Sequence, residues 1–397
     1  MLDSESPILE MAEGLLPDVT ALRRAIHAEP ELGLRNPLTA AKIKAALAGL
    51  PLELREGPST SGIVATLRGG APGRRILLRG DTDALPMHED TGLPFASTID
   101  GAMHACGHDS HVAMLAGAAR LLCARRDRLR GEVVFMFQPG EEGHHGARFM
   151  LDDGLLDPRP DIAFALHVMP TMACGTVLGR AGSLLASADT IEMVVRGRGG
   201  HASMPHDALD PVPIACEIVS AIQAWVTRQV PVGDPAVVTI ASIHAGTTDN
   251  VIPESATLLG TIRTLSPARR QAVRDGLRRL ATGIAQAHGA EAEVTFRDGF
   301  PVTVCDGAAV DFGRAVVEDL FGARSWVTLD HPVMGAEDFS YVLEHIPGAM
   351  FFLGAGPSQG AAACCGLHSN RMVLDEAVMA HGVALHAALA ERYLAQD

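Results

Sequence analysis

A chain of 397 residues, 47% hydrophobic and 20% charged, has apolar content for a well-packed core and a length that favours two domains over one. Its 32 Lys+Arg fall short of 47 Asp+Glu, a formal net charge of −15, which argues against nucleic acid or an anionic membrane as partner. Lys42 and Lys44 are the only lysines and share one short helical stretch, so the lysine of a phosphate loop and that of a Schiff-base enzyme both lack a suitable context.

In chain order, Val19, Leu22 and Ile26 have helical spacing, predicting a helix from Pro17 to Ile26 that ends before Pro30. Short β-type runs follow at 62–67 and 75–79, the second leading into Asp81-Thr82-Asp83. A helix from about Ser110 to Ala124, a strand at 133–137, a helix near 146–151 and an apolar strand at 162–166 come next. Near-continuous apolar strands alternating with helices imply an α/β sheet covered on both faces. From residue 187 the order becomes strand (190–196), helix (211–229), strands (236–244 and 256–264), helix (267–288, with Ser266 as cap and Pro267 in its first turn) and strand (291–296). That βαββαβ order is the ferredoxin-like split unit, here an α+β domain over 187–299 inserted into an α/β domain made of 1–186 and 300–397. The chain closes with a helix from Asp375 to Tyr393.

The densest chemical signal is His104-Ala105-Cys106-Gly107-His108-Asp109-Ser110-His111, directly before a helix. Thiolate and imidazole on a glycine-hinged loop can reach one metal ion or flank two, with Asp109 placed to orient a ring nitrogen. Gln138-Pro139-Gly140-Glu141-Glu142 follows a core strand, where ligand crevices of open α/β sheets lie. Adjacent carboxylates point differently, so one can bind metal while the other takes a proton from water. Asp81, Asp83 and His167 also stand at strand ends, and His368 is a further donor. In the inserted domain, the glycines before His201 permit close backbone approach to a substrate, and Asn250 and Arg263 add an amide and a planar cation suited to a carboxylate. No serine-hydrolase elbow or His-Glu-x-x-His motif occurs.

This set of motifs resembles the M20 family of metallopeptidases and amidohydrolases, in its branch of hippurate hydrolases, N-acyl-amino-acid amidohydrolases and plant auxin-conjugate hydrolases. The resemblance runs from Arg23-Arg24-Ala25-Ile26-His27-Ala28-Glu29-Pro30-Glu31-Leu32, through Asp81 to Pro86, His104 to His111, Gln138 to Glu142, Ala165-Leu166-His167, Gly199-Gly200-His201-Ala202, Asn250 to Pro253 and Met334 to Phe339, to His368. It implies a zinc-peptidase-like catalytic domain with a central mixed sheet, and a lid domain that also dimerises. It further implies that Cys106, His108, Glu142, His167 and His368 hold two divalent ions, the thiolate replacing a bridging carboxylate of related enzymes. Mn2+ or Zn2+ suits such a donor set, and Co2+ or Ni2+ is compatible with it. By the same resemblance Glu141 is general base and then acid, while His201, Asn250 and Arg263 bind the substrate's carbonyl and carboxylate, His201 from a partner subunit.

Some positions depart from the family. Asp81 stands where other branches have a histidine, so Asp81 and Asp83 are expected to support ligands rather than be ligands. Gly140 replaces a common alanine, with no expected harm, and His144-His145 stand where relatives often carry glycines, a change expected to act on either the metal rim or the acyl pocket. The expected activity is hydrolysis of the amide of an N-acyl amino acid, a small-molecule substrate, by a homodimer or higher homo-oligomer. A dipeptidase on the same scaffold, or a catalytically silent binding dimer, are the alternatives. Seven scattered cysteines, no basic-then-apolar leader and no apolar run of membrane-span length point to a reducing, cytoplasmic setting.

Overall fold

The computed structural model describes residues 7–356 and 365–396. Cys364 and the leader reading at 1–6 therefore lie outside the described residues. The chain divides into two compact units, one taking in the described residues of Met1–Leu184, Val304–His331 and Asp338–Asp397, the other Leu185–Thr303 with Pro332–Glu337. The short segment joins the second unit because the Ala186 amide donates to the Val333 and Gly335 carbonyls.

The first unit opens with α1 (Ile8–His27) and α2 (Pro37–Leu47), then β1 (Leu52–Glu56), β2 (Ile63–Arg68) and β3 (Ala71–Asp81). The first helix begins a full two turns before the expected start at Pro17. Its apolar stripe of Met11, Leu15, Val19 and Ile26 continues at helical spacing through the proline, and burial of that stripe carries the helix past it. Next come α3 (His108–Ala124), β4 (Arg130–Gln138), α4 (Gly146–Asp152) and β5 (Ile162–Ala173). The strands Val177–Gly179, Trp326–Thr328 and Gly348–Gly356 complete an eight-stranded mixed sheet in the order β1, β2, β4, β3, β5, Gly348–Gly356, Val177–Gly179, Trp326–Thr328.

Four neighbouring strands at its centre are parallel: β4, β3, β5 and Gly348–Gly356. Their central residues are buried on both faces, as continuous apolar strands demand. Pairing of Asp81 with Gln138, and of Arg79 with Ala165, puts Asp81, Gln138 and His167 on one level across three strands. Helix α3 is buried almost all round and packs against α1 and the helix Val378–Leu394.

The second unit has a four-stranded antiparallel sheet in the order Ala236–Ala245, Ser255–Thr264, Ser187–Arg196, Glu291–Asp298. The helices Pro211–Gln229 and Pro267–Ala287 cover one face, where Ile191, Met193, Val195, Leu258 and Ile262 meet Ile218, Ile222 and Leu277. This is the ferredoxin-like arrangement. Alternate residues of Ser187–Arg196 and Ser255–Thr264 point to the core, a period-two pattern. No described helix is long and apolar enough to cross a membrane.

Candidate active site

Helix α3 begins at His108 because Gly107 takes a left-handed conformation, φ +84°, immediately before it. A Cβ at Gly107 would approach Val168 Cγ2 to 2.3 Å, so only glycine lets this turn lie against β5. The turn brings Cys106 and His108 to the level of His167, where ligand atoms of all three lie within 4.8 Å of one another. Cys106, Glu142 and His368 form a second such group, so Cys106 belongs to both. The Cys106 Sγ to His167 Nε2 distance is 3.4 Å, and His368 Nε2 stands 3.3 Å from Glu142 Oε1. His368 adopts φ +64°, tolerated by histidine more readily than by branched residues, and its amide is anchored on the Ala105 carbonyl.

Backbone carbonyls set the ring orientations. His108 Nδ1–H donates to the Asp83 carbonyl at 2.8 Å and His167 Nδ1–H to the Val168 carbonyl at 2.8 Å, so both rings turn Nε2 toward the cluster. His108 Nε2 and Glu142 Oε1 are buried and make only loose ion-pair contacts, to Asp81 Oδ2 at 3.4 Å and to His368 Nε2 at 3.3 Å. Burial opposes charge on His108, but Asp81 and Cys106 outweigh it and lift its pKa well above the ordinary value. The pocket thus favours a positive charge at Nε2, which a proton or a metal ion can supply. Burial pushes the Cys106 thiol up to about 12, against the pull of His108, so a thiolate here needs a cation beside it. Burial likewise keeps His167 neutral. Thiolate, imidazole and carboxylate donors, buried and only loosely paired with one another, fit divalent metal.

The acidic pair sits in the turn between β4 and α4. Gly140 has φ +76°, and a Cβ there would meet Leu34 Cδ2 at 2.6 Å, so this turn calls for glycine. Asp83 Oδ1 and Oδ2 accept from the Glu141 and Glu142 amides, both at 2.9 Å, which fixes the backbone that carries the acidic pair. Asp81 lies deeper. Burial alone would raise its carboxyl, but Arg79, His108 and His111 hold it well below the usual carboxylate range. Its Oδ2 comes within 2.6 Å of Arg79 and 3.4 Å of His108 Nε2.

The rest of the histidine motif does other work. His111 Nε2 accepts from the Val168 amide at 2.9 Å, so Nδ1 carries the proton and donates to Asp81 Oδ1. With both nitrogens engaged, His111 is a strut rather than a metal donor. His104 is buried and neutral, its pKa pushed to about 3 by burial. Asp109, expected to orient a ring of the cluster, instead accepts from Arg23 Nε (2.7 Å) and His27 Nδ1 (2.8 Å) of α1. It lies on the face of α3 that packs on α1, away from the ligand atoms. His27 also donates from Nε2 to Glu89 at 3.1 Å; burial disfavours its charge, but Asp109 and Glu89 outweigh that and raise its pKa to about 9. Sequence reading gave Arg23 and His27 no role, although both stand in a quoted motif. Of the two histidines after the acidic pair, His145 caps α4 in a left-handed conformation with Nδ1 2.9 Å from the Tyr341 hydroxyl.

In the second unit, Gly200–His201 pairs with Val251–Ile252 as a two-stranded ribbon, and His201 and Asn250 line an open pocket of about 420 Å³. His201 Nδ1 accepts from the Ser203 amide at 3.1 Å, which leaves the proton on the exposed Nε2 as a free-standing donor. Arg263 is half-buried on the strand Ser255–Thr264, paired with Ala188 and Val237. It lies eight positions along from Ser255, about 27 Å at the rise of a strand. The ribbon joins the other end of that strand, so this unit does not bring Arg263 together with His201 and Asn250.

The family model for peptidase family M20/M25/M40 matches residues 77–392. The chain belongs to that family. It is 38% identical to thermostable carboxypeptidase 1 of Saccharolobus solfataricus, over 94% of this chain and 95% of the relative. It is 40% identical to the N-acetylcysteine deacetylase of Bacillus subtilis, over 85% of this chain and 88% of the relative. Among solved structures, a Bacillus subtilis protein described as a dinuclear metal-binding peptidase of the M20 family superposes with a TM-score of 0.83 at 35% identity, covering 96% of this chain and 99% of that one. The protein is thus an M20 hydrolase, and the expected mixed-sheet fold with its inserted βαββαβ unit is the one observed.

Proposed function

We propose that this M20 hydrolase cleaves the amide of N-acyl amino acids, releasing a carboxylic acid and a free amino acid. The observation that carries this reading is that Glu141 and Glu142, on a backbone held by one carboxylate, Asp83, bring their carboxylates within 4.8 Å of each other and of the His108 ring of the thiol–imidazole cluster. A protein that only bound metal would have no use for a base beside a ligand. Cys106, His108, Glu142, His167 and His368 would hold two divalent ions, Mn2+ or Zn2+, with Co2+ and Ni2+ compatible. Bound there, the ions would lower the pKa of water and polarise the scissile carbonyl. Glu141, almost fully buried, accepts a proton from the attacking water and returns it to the departing amine. His201 donates from Nε2 to the carbonyl oxygen as negative charge develops on it, an interaction that strengthens toward the transition state. Arg263 pairs in two-pronged fashion with the carboxylate of the amino acid.

The separation of Arg263 from the His201–Asn250 ribbon within one lid supports a homodimer in which His201 serves the partner's substrate. Co-expression of a Glu141→Gln chain with a His201→Ala chain tests this. Mixed dimers then hold one complete site of two, and random pairing restores about a quarter of wild-type activity. Activity no higher than that of either parent would mean that each chain uses its own His201.

The carboxypeptidase relative favours one competing reading, peptide cleavage on the same scaffold. Amine release from N-acetyl, N-benzoyl and longer-chain acyl amino acids beside matched dipeptides separates the two. The proposal expects acyl amino acids to give the higher kcat/KM, and a clear preference for dipeptides would move the assignment to peptidase.

A further inference from the structure

The segment Met334-Gly335-Ala336-Glu337-Asp338-Phe339 carries part of the family resemblance, yet the chemistry above gives it no task. Asp338 is fully buried and faces three partners in its own unit. Its Oδ1 accepts from Arg79 Nη2 (3.2 Å) and Gln138 Nε2 (2.7 Å), and its Oδ2 from Gln138 Nε2 (2.9 Å) and the Ala147 amide (2.9 Å). Arg79 also donates from Nε to Gln138 Oε1 at 2.9 Å and lies over the Phe339 ring. Arg79, Asp81, Gln138 and Asp338 are all fully buried.

Gln138 ends β4 and Ala147 lies in the first turn of α4, so these bonds seize the Glu141–Glu142 turn at both of its ends. Asp83 holds the same turn from within, through the Glu141 and Glu142 amides. The turn has three glycines, at 140, 143 and 146, and such a chain keeps one shape only if outside contacts impose it. We propose that Asp338 is a positioning residue for Glu141: by tying Gln138, Arg79 and the Ala147 amide together, it sets where the general base stands. This rests on Glu141 being that base.

Asn is the informative replacement. Asp338→Asn keeps the size but offers a single acceptor oxygen, so either the Arg79–Gln138 side or the Ala147 amide faces an N–H group. A displacement of the base by about 1 Å costs on the order of 10²-fold in rate. The expected result for the metal-loaded enzyme is a loss of that size in kcat, with KM and metal content within about threefold of wild type. Because the effect runs through Glu141, Asp338→Asn should add less than about threefold to the loss already caused by Glu141→Gln. Gln138→Met, scored by the same criteria, serves if Asp338→Asn fails to fold.

A full second loss on the Glu141→Gln background would overturn the proposal, as would a loss accounted for by missing metal or one confined to KM. Near-normal activity of Glu141→Gln alone would strike the underlying assignment instead, so the two failures are distinguishable.

Discussion

Glu141→Gln is expected to lower kcat by about a thousandfold, in the range set by loss of a general acid–base, while metal content stays at the wild-type level. The substitution is isosteric and leaves the backbone bonds to Asp83 intact, since those come from the Glu141 and Glu142 amides and not from the side chain. The neighbouring donors Cys106, His108 and Glu142 are untouched. Only the capacity to take a proton is lost, so the fall belongs to kcat, with KM near wild type. Metal analysis and steady-state kinetics on the same preparation check this. A variant with normal turnover would remove Glu141 from the mechanism.

The second large effect concerns Cys106, the one residue common to both ligand groups. Cys106→Ser exchanges a thiol for a hydroxyl that stays protonated and ligates weakly. Loss of a supporting partner alone costs roughly 10–100-fold in metal affinity, and loss of a shared ligand should cost at least that. Activity should fall in step with metal content and recover partly when metal is raised. Cys123→Ser is the control: Cys123 is equally buried on α3 but belongs to neither ligand group, so its loss should leave metal binding unchanged. Wild-type stoichiometry and affinity in Cys106→Ser would argue against ligation by the thiol.

Much of this architecture was legible because its signals are local. Apolar runs at 133–137 and 162–166 could only be covered strands, and the helix 211–229 with its following strands declared the βαββαβ unit through period and proline placement alone. The Cys106–His108 spacing and the Glu141–Glu142 pair were readable for the same reason, since each lies within a few residues of a strand end or helix start.

What escaped depends on partners far apart in sequence. Nothing in His104-Ala105-Cys106-Gly107-His108-Asp109-Ser110-His111 says which ring turns inward. The Asp83 carbonyl decides it for His108, and the Val168 amide removes His111 from the ligand set. Asp109 was expected at the cluster, but a helix position is assigned by the face it presents, and its face meets Arg23 and His27. The link from Asp338 to Arg79 spans 259 positions, beyond the reach of any motif. Helix α1 begins at Ile8 rather than at Pro17 because the buried stripe from Met11 to Ile26 outweighs the proline inside it.

The account's central claim is that metal held by this cluster, together with Glu141, hydrolyses the amide of N-acyl amino acids. The most direct test is to strip the protein with chelator and titrate Mn2+ or Zn2+ back, following amine release from an N-acyl amino acid and bound metal on the same samples. Activity absent from the stripped protein, rising with added ion and levelling off at two ions per chain, is the predicted result. Full turnover by metal-free protein, or uptake of two ions without any amine release from any acyl amino acid, would contradict it.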